Sequence, residues 1–140
     1  MPIETLARSD VVTATTDESI HDLAETMQSE GIGSIVITDG DSPVGIVTDR
    51  DLAMHVLAEG TDPDELVADD VMSDGLQTVQ HDAGFKEAAE MMSENGVRRL
   101  PVLDDNSNLD GIITVDDLNE LLANEHQELA AVIRAQRPPY

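Results

Sequence analysis

Apolar residues recur at the spacing of one helix face in two stretches of the chain. They are Ile20, Leu23, Ala24 and Met27 in the first stretch, and Phe85, Ala88, Ala89 and Met92 in the second. A glycine follows each stretch, at Gly31 and Gly96, and a left-handed C-terminal cap favours glycine. The pattern therefore predicts two α-helices that end at these glycines.

Short apolar runs of strand length follow both predicted helices, at residues 35–37 and 100–103. Turn-forming residues come next, at 39–43 and 104–108. Because proline has no N–H to donate to a sheet, Pro101 is expected at an edge or at the end of a strand. Each helix is thus followed by a predicted strand and a turn.

The two stretches belong to a longer internal repeat. Residues 15–39 align with 80–104 at a shift of 65, which becomes 66 after a one-residue insertion, so that 45–52 align with 111–118. Two copies of one unit explain this similarity better than chance. With a short strand before the first helix, and a second strand and helix after the turn, each unit is β-α-β-β-α. The predicted fold class is α/β.

The repeat sets the predicted domain boundaries. They are 1–58 for the first repeat, 59–74 for a linker, 75–125 for the second repeat, and 126–140 for a C-terminal helix and tail. Apolar residues beyond Leu118 predict that the last helix continues until Pro138: Leu121, Leu122, Leu129, Val132 and Ile133. This stripe either packs on its own domain or a symmetry mate, or forms an effector surface.

The charge balance is strongly acidic, with 30 Asp and Glu against 7 Lys and Arg and a formal net charge of -23. Since 40% of the 140 residues are hydrophobic and their positions recur with clear periodicity, the sequence indicates a folded core beneath an acidic surface. Proteins adapted to high salt have this character, because salt screens the self-repulsion. A surface for a basic partner is the alternative, and nucleic-acid binding is disfavoured.

Several kinds of chemistry have no residues to support them. The sequence has no cysteine, which excludes disulfides and thiolate metal sites. Its four histidines lack metal-ligand spacing, and it has neither a phosphate-binding glycine-rich loop nor a GxSxG elbow. No catalytic or metal site is therefore predicted. The first residues contain no apolar run, so we expect neither a signal peptide nor a membrane span. The expected location is therefore the cytoplasm.

One heptapeptide closes each repeat, Gly-hydrophobic-x-Thr-x-x-Asp, at residues 45–51 and 111–117. Thr48 and Thr114 lie where a strand turns into a helix, so their hydroxyls can cap free N–H groups. The aspartates fall in the first helical turn, where the helix dipole favours an anion. A carboxylate offers two acceptor oxygens, which suits the adjacent hydroxyls of a ribose. Alternatively, these aspartates only stabilise helix starts.

Each heptapeptide is preceded by the same helix-glycine-strand pattern. Because of these two repeated motifs, the chain resembles a tandem pair of cystathionine β-synthase (CBS) domains over almost all of its length. The resemblance implies two β-α-β-β-α repeats packed with pseudo-twofold symmetry, and commonly a homodimer. It also implies two clefts between the repeats, each taking ribose contacts from one repeat and base and phosphate contacts from the other.

The resemblance assigns eight residues to each cleft. One cleft would combine Ile46, Thr48, Arg50 and Asp51 with His81, Val97, Arg98 and Arg99. The other would combine Ile112, Thr114, Asp116 and Asp117 with Thr16, Ile32, Gly33 and Ser34. The implied ligand is an adenosine compound, namely AMP, ADP, ATP or S-adenosylmethionine, acting as a regulator and not as a cofactor. Its occupancy would be read by an unknown effector protein.

The two clefts differ in charge. Arg98 and Arg99 follow the second cap glycine, whereas Gly33 and Ser34 occupy the matching places after the first. Arginine suits phosphate because its planar fork is always charged. We therefore expect the Asp51 cleft to bind the phosphorylated ligand, with the other cleft weaker, empty or suited to a nucleoside. Surface pairing of these arginines with carboxylates, and a ligand-free structural or dimerisation module, remain the alternatives.

Overall fold

The computed structural model describes residues 1–73 and 75–139, so that Asp74 of the predicted linker and Tyr140 of the predicted tail lie outside the described residues. Two units each contain one three-stranded sheet. The elements of the first unit are β1 (Thr13–Thr15), α1 (Ile20–Glu30), β2 (Ser34–Asp39), β3 (Ser42–Thr48) and α2 (Asp49–Leu52). Then follow α3 (Ala68–Val71), β4 (Val79–Gln80), α4 (Phe85–Asn95), β5 (Arg99–Leu103), β6 (Leu109–Thr114) and α5 (Val115–Gln136). The predicted α/β fold of two β-α-β-β-α repeats is confirmed.

Both sheets have the same topology. In the first, β1 is parallel to the central strand β2, and β2 is antiparallel to β3. In the second, β4, β5 and β6 repeat this arrangement. Ile35 and Ile37 of β2 pack into the core of their unit, and Val36 between them is also buried. Because neighbouring strand residues point to opposite faces, the central strand is covered on both sides.

The helices α1 and α4 end at the glycines that the sequence predicts. Ser19 caps α1 by accepting a hydrogen bond from the N–H of Asp22 at 3.1 Å. Gly31 and Gly96 both adopt the left-handed conformation at the C-terminal caps, with φ of 66° and 63°. Glycine reaches this region without a Cβ clash, so these two residues end the helices and turn the chain into the central strands.

Each core is completed by a short segment that precedes the other unit in the chain. Ala68 and Val71 of α3 pack in the core of the first unit. Ile3, which lies in a 3-10 turn at Ile3–Thr5, is fully buried in the core of the second unit. Ile3 and Ala68 are 65 residues apart, which is the repeat shift. The two units therefore exchange equivalent segments.

The exchanged segments are held by equivalent backbone contacts. Pro2 forms a bridge with Gly84, and Val67 forms one with Ser19. The N–H of Ile3 donates to the carbonyl of Ala83 at 2.8 Å, and the N–H of Ala68 donates to that of Glu18 at 2.9 Å. Part of the predicted linker 59–74 thus belongs structurally to the first unit, as the N-terminal residues belong to the second.

Pro101 lies within the central strand β5, paired with Ile112, and not at an edge or strand end as its missing N–H suggests. Its counterpart in the first unit, Val36, donates its N–H to the carbonyl of Val12 at 3.2 Å. Proline cannot make this bond. The neighbouring strand is correspondingly shorter in the second unit, two residues in β4 against three in β1.

The last helix, α5, is continuous from Val115 to Gln136 and ends before Pro138, as predicted. Leu118 is buried in the second core. Leu129, Val132 and Ile133 are exposed by 63%, 56% and 64%. Within residues 1–73 and 75–139, no helix has both the length and the hydropathy needed to cross a bilayer.

Replacing Ile3 with alanine tests the exchange of segments. Large-to-small changes at a fully buried isoleucine cost about 2–5 kcal/mol, so Ile3→Ala should lower the free energy of unfolding by this amount. The measurement is denaturant unfolding at fixed salt. Ile133→Ala is the matched control, and this exposed position should change by less than about 0.5 kcal/mol. Equal effects of the two variants would mean that the N-terminal segment is not docked.

Candidate functional site

The corner between β3 and α2 is closed by a reciprocal pair of hydrogen bonds. The Thr48 hydroxyl accepts from the N–H of Asp51 at 3.1 Å, and the N–H of Thr48 donates to Oδ2 of Asp51 at 2.9 Å. Such a capping box satisfies N–H groups that the helix itself cannot. Asp51 therefore stabilises the helix start, and the corner fixes the direction of its carboxylate.

The second carboxylate oxygen of Asp51 keeps its acceptor capacity. Among residues 1–73 and 75–139, Oδ1 of Asp51 receives no hydrogen bond and Asp51 forms no ion pair. The residue is partly exposed. Because an ionised carboxylate is a strong acceptor, this oxygen can bind a hydroxyl donor of a ligand.

Asp51 lies in a cavity of about 620 Å³ between the two units. Residues from both units line it: Ile46, Thr48, Asp49, Arg50 and Asp51 from the β3–α2 corner, Asn95, Gly96, Val97, Arg98 and Arg99 after α4, and Ser73, Gly75, Leu76 and Gln77 before β4. The volume lies within the range of small-molecule sites, which is about 300–1,000 Å³. Seven of the eight residues predicted for this cleft therefore meet in one cavity.

The cavity concentrates positive charge in an acidic protein. Arg50, Arg98 and Arg99 line it, and these are three of the six arginines in the sequence. Arg98 approaches Asp116 only at 4.0 Å, and both side chains are mostly exposed. Exposed pairs of this kind contribute little free energy, so Arg98 stays available to a ligand anion.

Sequence reasoning missed the residues that enter the cavity from before β4. Ser73, Gly75, Leu76 and Gln77 lie upstream of the aligned stretches, in the region predicted as linker and first strand. The signal that could have found them is the repeat shift itself. Extended upstream, it pairs Leu76 with Val11 and Gln77 with Val12, and these two residues line a second cavity.

The second cavity, of about 310 Å³, is built from equivalent positions. Six of its predicted residues line it: Ile32, Gly33, Ser34, Ile112, Thr114 and Asp116. They are joined by Arg8, Asp10, Val11, Val12, Gly31, Val36 and Arg99. The same corner is present, since the N–H of Thr114 donates to Oδ2 of Asp117 at 2.9 Å and the N–H of Asp117 donates to the Thr114 hydroxyl at 3.3 Å.

The carboxylate of Asp117 differs from that of Asp51 because it is already paired. Arg8 donates to Oδ1 of Asp117 from Nε at 3.2 Å and from Nη2 at 3.0 Å. The Thr114 hydroxyl also donates to Oδ2 at 3.0 Å. Asp117 is 7% exposed and is not part of the cavity lining.

Besides Asp117, two predicted site residues lie outside both cavities, His81 and Thr16. They occupy equivalent positions, 65 residues apart, and both face the exchanged segments. The carbonyl of His81 accepts from the N–H of Glu4 at 3.2 Å, and that of Thr16 accepts from the N–H of Asp69 at 3.0 Å. The backbone carbonyls of both residues thus contact the exchanged segments, and the assignment of His81 and Thr16 to ligand binding stays a prediction.

The His81 side chain joins two acidic groups. Nε2 lies 2.8 Å from Oδ1 of Asp105, and Nδ1 lies 2.8 Å from Oε2 of Glu4. These hydrogen bonds, first that of Asp105 and then that of Glu4, raise the pKa of His81 to about 9. The protonated ring thus connects the N-terminal segment to the turn after β5. No group of three acidic or histidine side chains within the described ranges converges as metal ligands would.

Comparison with known proteins agrees with this architecture. The model of the CBS domain family matches residues 3–58 and 67–124. CBS domain-containing protein YhcV of Bacillus subtilis is 32% identical over 108 residues, covering 77% of this chain and 76% of that one. An uncharacterized protein of Methanopyrus kandleri is 44% identical over 114 residues, covering 81% of this chain and 58% of that protein's length. The chain belongs to the CBS domain family and carries two copies of the domain.

A solved structure shows the same pair of domains with ligands. The CBS domain pair of protein MJ0100, in complex with 5-methylthioadenosine and S-adenosyl-L-methionine, superposes with a TM-score of 0.80 at 25% identity. The superposition covers 89% of this chain and 98% of that one. The fold thus matches a CBS pair in which adenosine-containing molecules bind.

The clamp at His81 predicts a pH dependence of stability. Because the folded-state pKa is raised above the ordinary 6.5, the contribution is fully present below about pH 6.5 and is lost as pH rises through about 9. Denaturant unfolding from pH 6 to 10 should show wild type losing more stability over this window than His81→Gln. A change at the exposed His126 of α5, His126→Gln, should keep the wild-type profile. Parallel profiles for wild type and His81→Gln would contradict the clamp.

Proposed function

We propose that this protein binds a phosphorylated adenosine ligand in the Asp51 cavity and reports its occupancy to a partner protein. The observation that carries the proposal is the placement of the Asp51 carboxylate, with one oxygen available within the described residues, in the same cavity as three arginines. A ribose hydroxyl needs an acceptor, which this oxygen offers, and a phosphate needs fixed positive charge.

Each part of the proposed ligand, the adenine, the ribose and the phosphates, has residues of suitable chemistry in the cavity. Ile46 from the first unit and Val97 from the second present apolar surface for the adenine ring. Asp51 accepts from the ribose hydroxyls. The arginines bind the phosphates with charge-assisted hydrogen bonds, which are about twice as strong as neutral ones. The adenosine compounds bound by the MJ0100 domain pair support the base and ribose assignments.

The charges of the cavity favour AMP, ADP or ATP over S-adenosylmethionine. The latter carries a sulfonium cation where the nucleotides carry phosphate, and a cavity lined by three arginines against Asp49 and Asp51 has an excess of positive charge that disfavours this cation. A sensor of adenine nucleotides reports the energy state of the cell, which is the role we propose.

Regulation would act through the arrangement of the two units. The cavity takes walls from both, so a ligand that prefers one arrangement shifts the protein toward it. We propose that the protein has no catalytic activity of its own and that its effector is a separate protein. We also propose that it assembles as a homodimer. With a net charge of -23, we also propose that it works in the cytoplasm of an organism with high internal salt, where self-repulsion is screened.

Loss of the Asp51 carboxylate should weaken binding. A hydrogen bond to a charged group contributes about 1.5–3 kcal/mol, so Asp51→Ala should raise the Kd for AMP by roughly tenfold to a hundredfold. Calorimetry in molar salt, with AMP, ADP, ATP and S-adenosylmethionine as the panel, gives the values. Asp70→Ala is the matched control, because Asp70 caps α3 through the N–H of Val67 at 2.9 Å and does not line the cavity.

If no member of the panel binds wild type, the protein is a structural or dimerisation module and the proposal is wrong. Equal losses of affinity in Asp51→Ala and Asp70→Ala would mean that the aspartate acts only through helix stability.

Loss of the arginines should act on the phosphate alone. The double variant Arg98→Ala/Arg99→Ala should raise the Kd for ATP by about tenfold or more while changing the Kd for adenosine by less than about threefold, since charge-assisted bonds to the phosphate are removed. The control is Arg134→Ala/Arg137→Ala, which changes the net charge equally at exposed positions near the C-terminus. Unchanged ATP affinity in the first variant would remove the phosphate assignment.

A further inference from the structure

The two cavities are built from equivalent positions, and one of the positions at which their residues differ is that of Arg8, which contacts Asp117. Arg8 lines the second cavity and Ser73 lines the first, and the two residues are 65 apart, the repeat shift. Both belong to the end of an exchanged segment. The same place in the architecture therefore carries a long cation in one cavity and a short hydroxyl in the other.

Arg8 is held in position by its backbone. Its N–H donates to the carbonyl of Ile112 at 2.9 Å, and its carbonyl accepts from the N–H of Ile112 at 3.0 Å. The added Cβ of any residue at Gly111 would lie 2.8 Å from the Arg8 carbonyl oxygen, so only glycine allows this approach. The backbone at Arg8 is thus fixed against β6, and this places the Arg8 guanidinium close to Asp117.

The guanidinium uses the acceptor that a ribose would need. Oδ1 of Asp117 accepts from two nitrogens of Arg8, while Oδ2 is taken by Thr114. The Arg8 side chain is 67% exposed and the Asp117 side chain 7%, so the arginine covers the carboxylate from the solvent side. Asp51, with Ser73 at the equivalent place, has no such cover within residues 1–73 and 75–139.

We infer that Arg8 closes the second cavity to ribose by binding Asp117 itself, so that each chain binds one adenosine ligand, in the first cavity. This inference rests on the proposed function, in which the aspartate of the corner binds the ribose. An intramolecular guanidinium is present at high effective concentration and must be displaced before a hydroxyl can reach Asp117. Apart from Arg8, the charged lining residues are Asp10, Asp116 and Arg99, so two carboxylates that repel a phosphate outnumber the one cation that attracts it.

Removing Arg8 should open the second cavity. Arg8→Ser gives the second cavity the residue that the first one has, and adenosine is the probe because it carries a ribose without phosphate. Methyl NMR reads each cavity separately, through Ile46 and Val97 for the first and Ile32 and Ile112 for the second. We expect shifts only in the first pair for wild type, and in both pairs for Arg8→Ser. Arg8→Ser/Asp117→Ala should again respond only in the first.

The reciprocal change should close the first cavity. Ser73→Arg should raise the Kd for AMP by roughly tenfold or more, since the new guanidinium competes for Asp51. Ser29→Arg adds the same charge at an exposed position of α1 and should leave the Kd within about twofold. This arm decides the question by itself if Arg8→Ser does not fold, which thermal unfolding will reveal.

The outcomes separate this inference from the proposed function. Wild-type shifts in both pairs of methyl groups would overturn the closure while leaving nucleotide binding in place. The closure would also be overturned if the methyl signals of Ile32 and Ile112 did not shift on adding adenosine to Arg8→Ser. It would likewise be overturned if Ser73→Arg bound AMP with the Kd of wild type. If neither adenosine nor AMP moves any of the four residues in wild type, the proposed function fails and the inference falls with it.

Discussion

The hydrogen-bonded corner between the last strand and the helix of each repeat determines how the rest of the protein can act. At Thr48 the backbone N–H and the Asp51 carboxylate satisfy each other, which fixes the helix start and the direction of the carboxylate together. The residue that stabilises the fold is therefore also the residue that faces the cavity. Stability and binding therefore depend on the same side chain. Oδ2 of Asp51 caps the helix, and Oδ1 is the oxygen proposed to bind the ligand.

The sequence predicted the elements and half of the residues that line the first cavity because both follow from local patterns repeated twice. Helix periodicity, the glycine caps and the Thr-x-x-Asp corner are short-range signals, and two copies make them specific. Six other predicted residues meet around Asp51 for this reason. Pro101 shows the limit of local reasoning, since a central strand accepts it where the neighbouring strand is one residue shorter.

The features that sequence reasoning could not provide all involve the exchanged segments. Ile3–Thr5 and Ala68–Val71 are too short to show a period, so nothing local indicates which core they fill. The placement of His81 and Thr16 at the clefts was inferred by resemblance, and the backbone carbonyls of both residues contact these segments. Arg8 is 109 residues from Asp117, and a lone arginine at that separation carries no signal of its partner.

The exchange of segments also makes the two halves of the chain inseparable. Residues 1–5 are synthesised before the second unit, but the core that buries Ile3 is built from strands and helices beyond residue 78. The second half therefore cannot finish folding without the beginning of the chain, and the first half lacks Ala68 and Val71 if it is cut before α3. A break between α2 and α3 would leave two fragments, each lacking a core segment that the other fragment carries, so the two halves of the chain complete each other's cores.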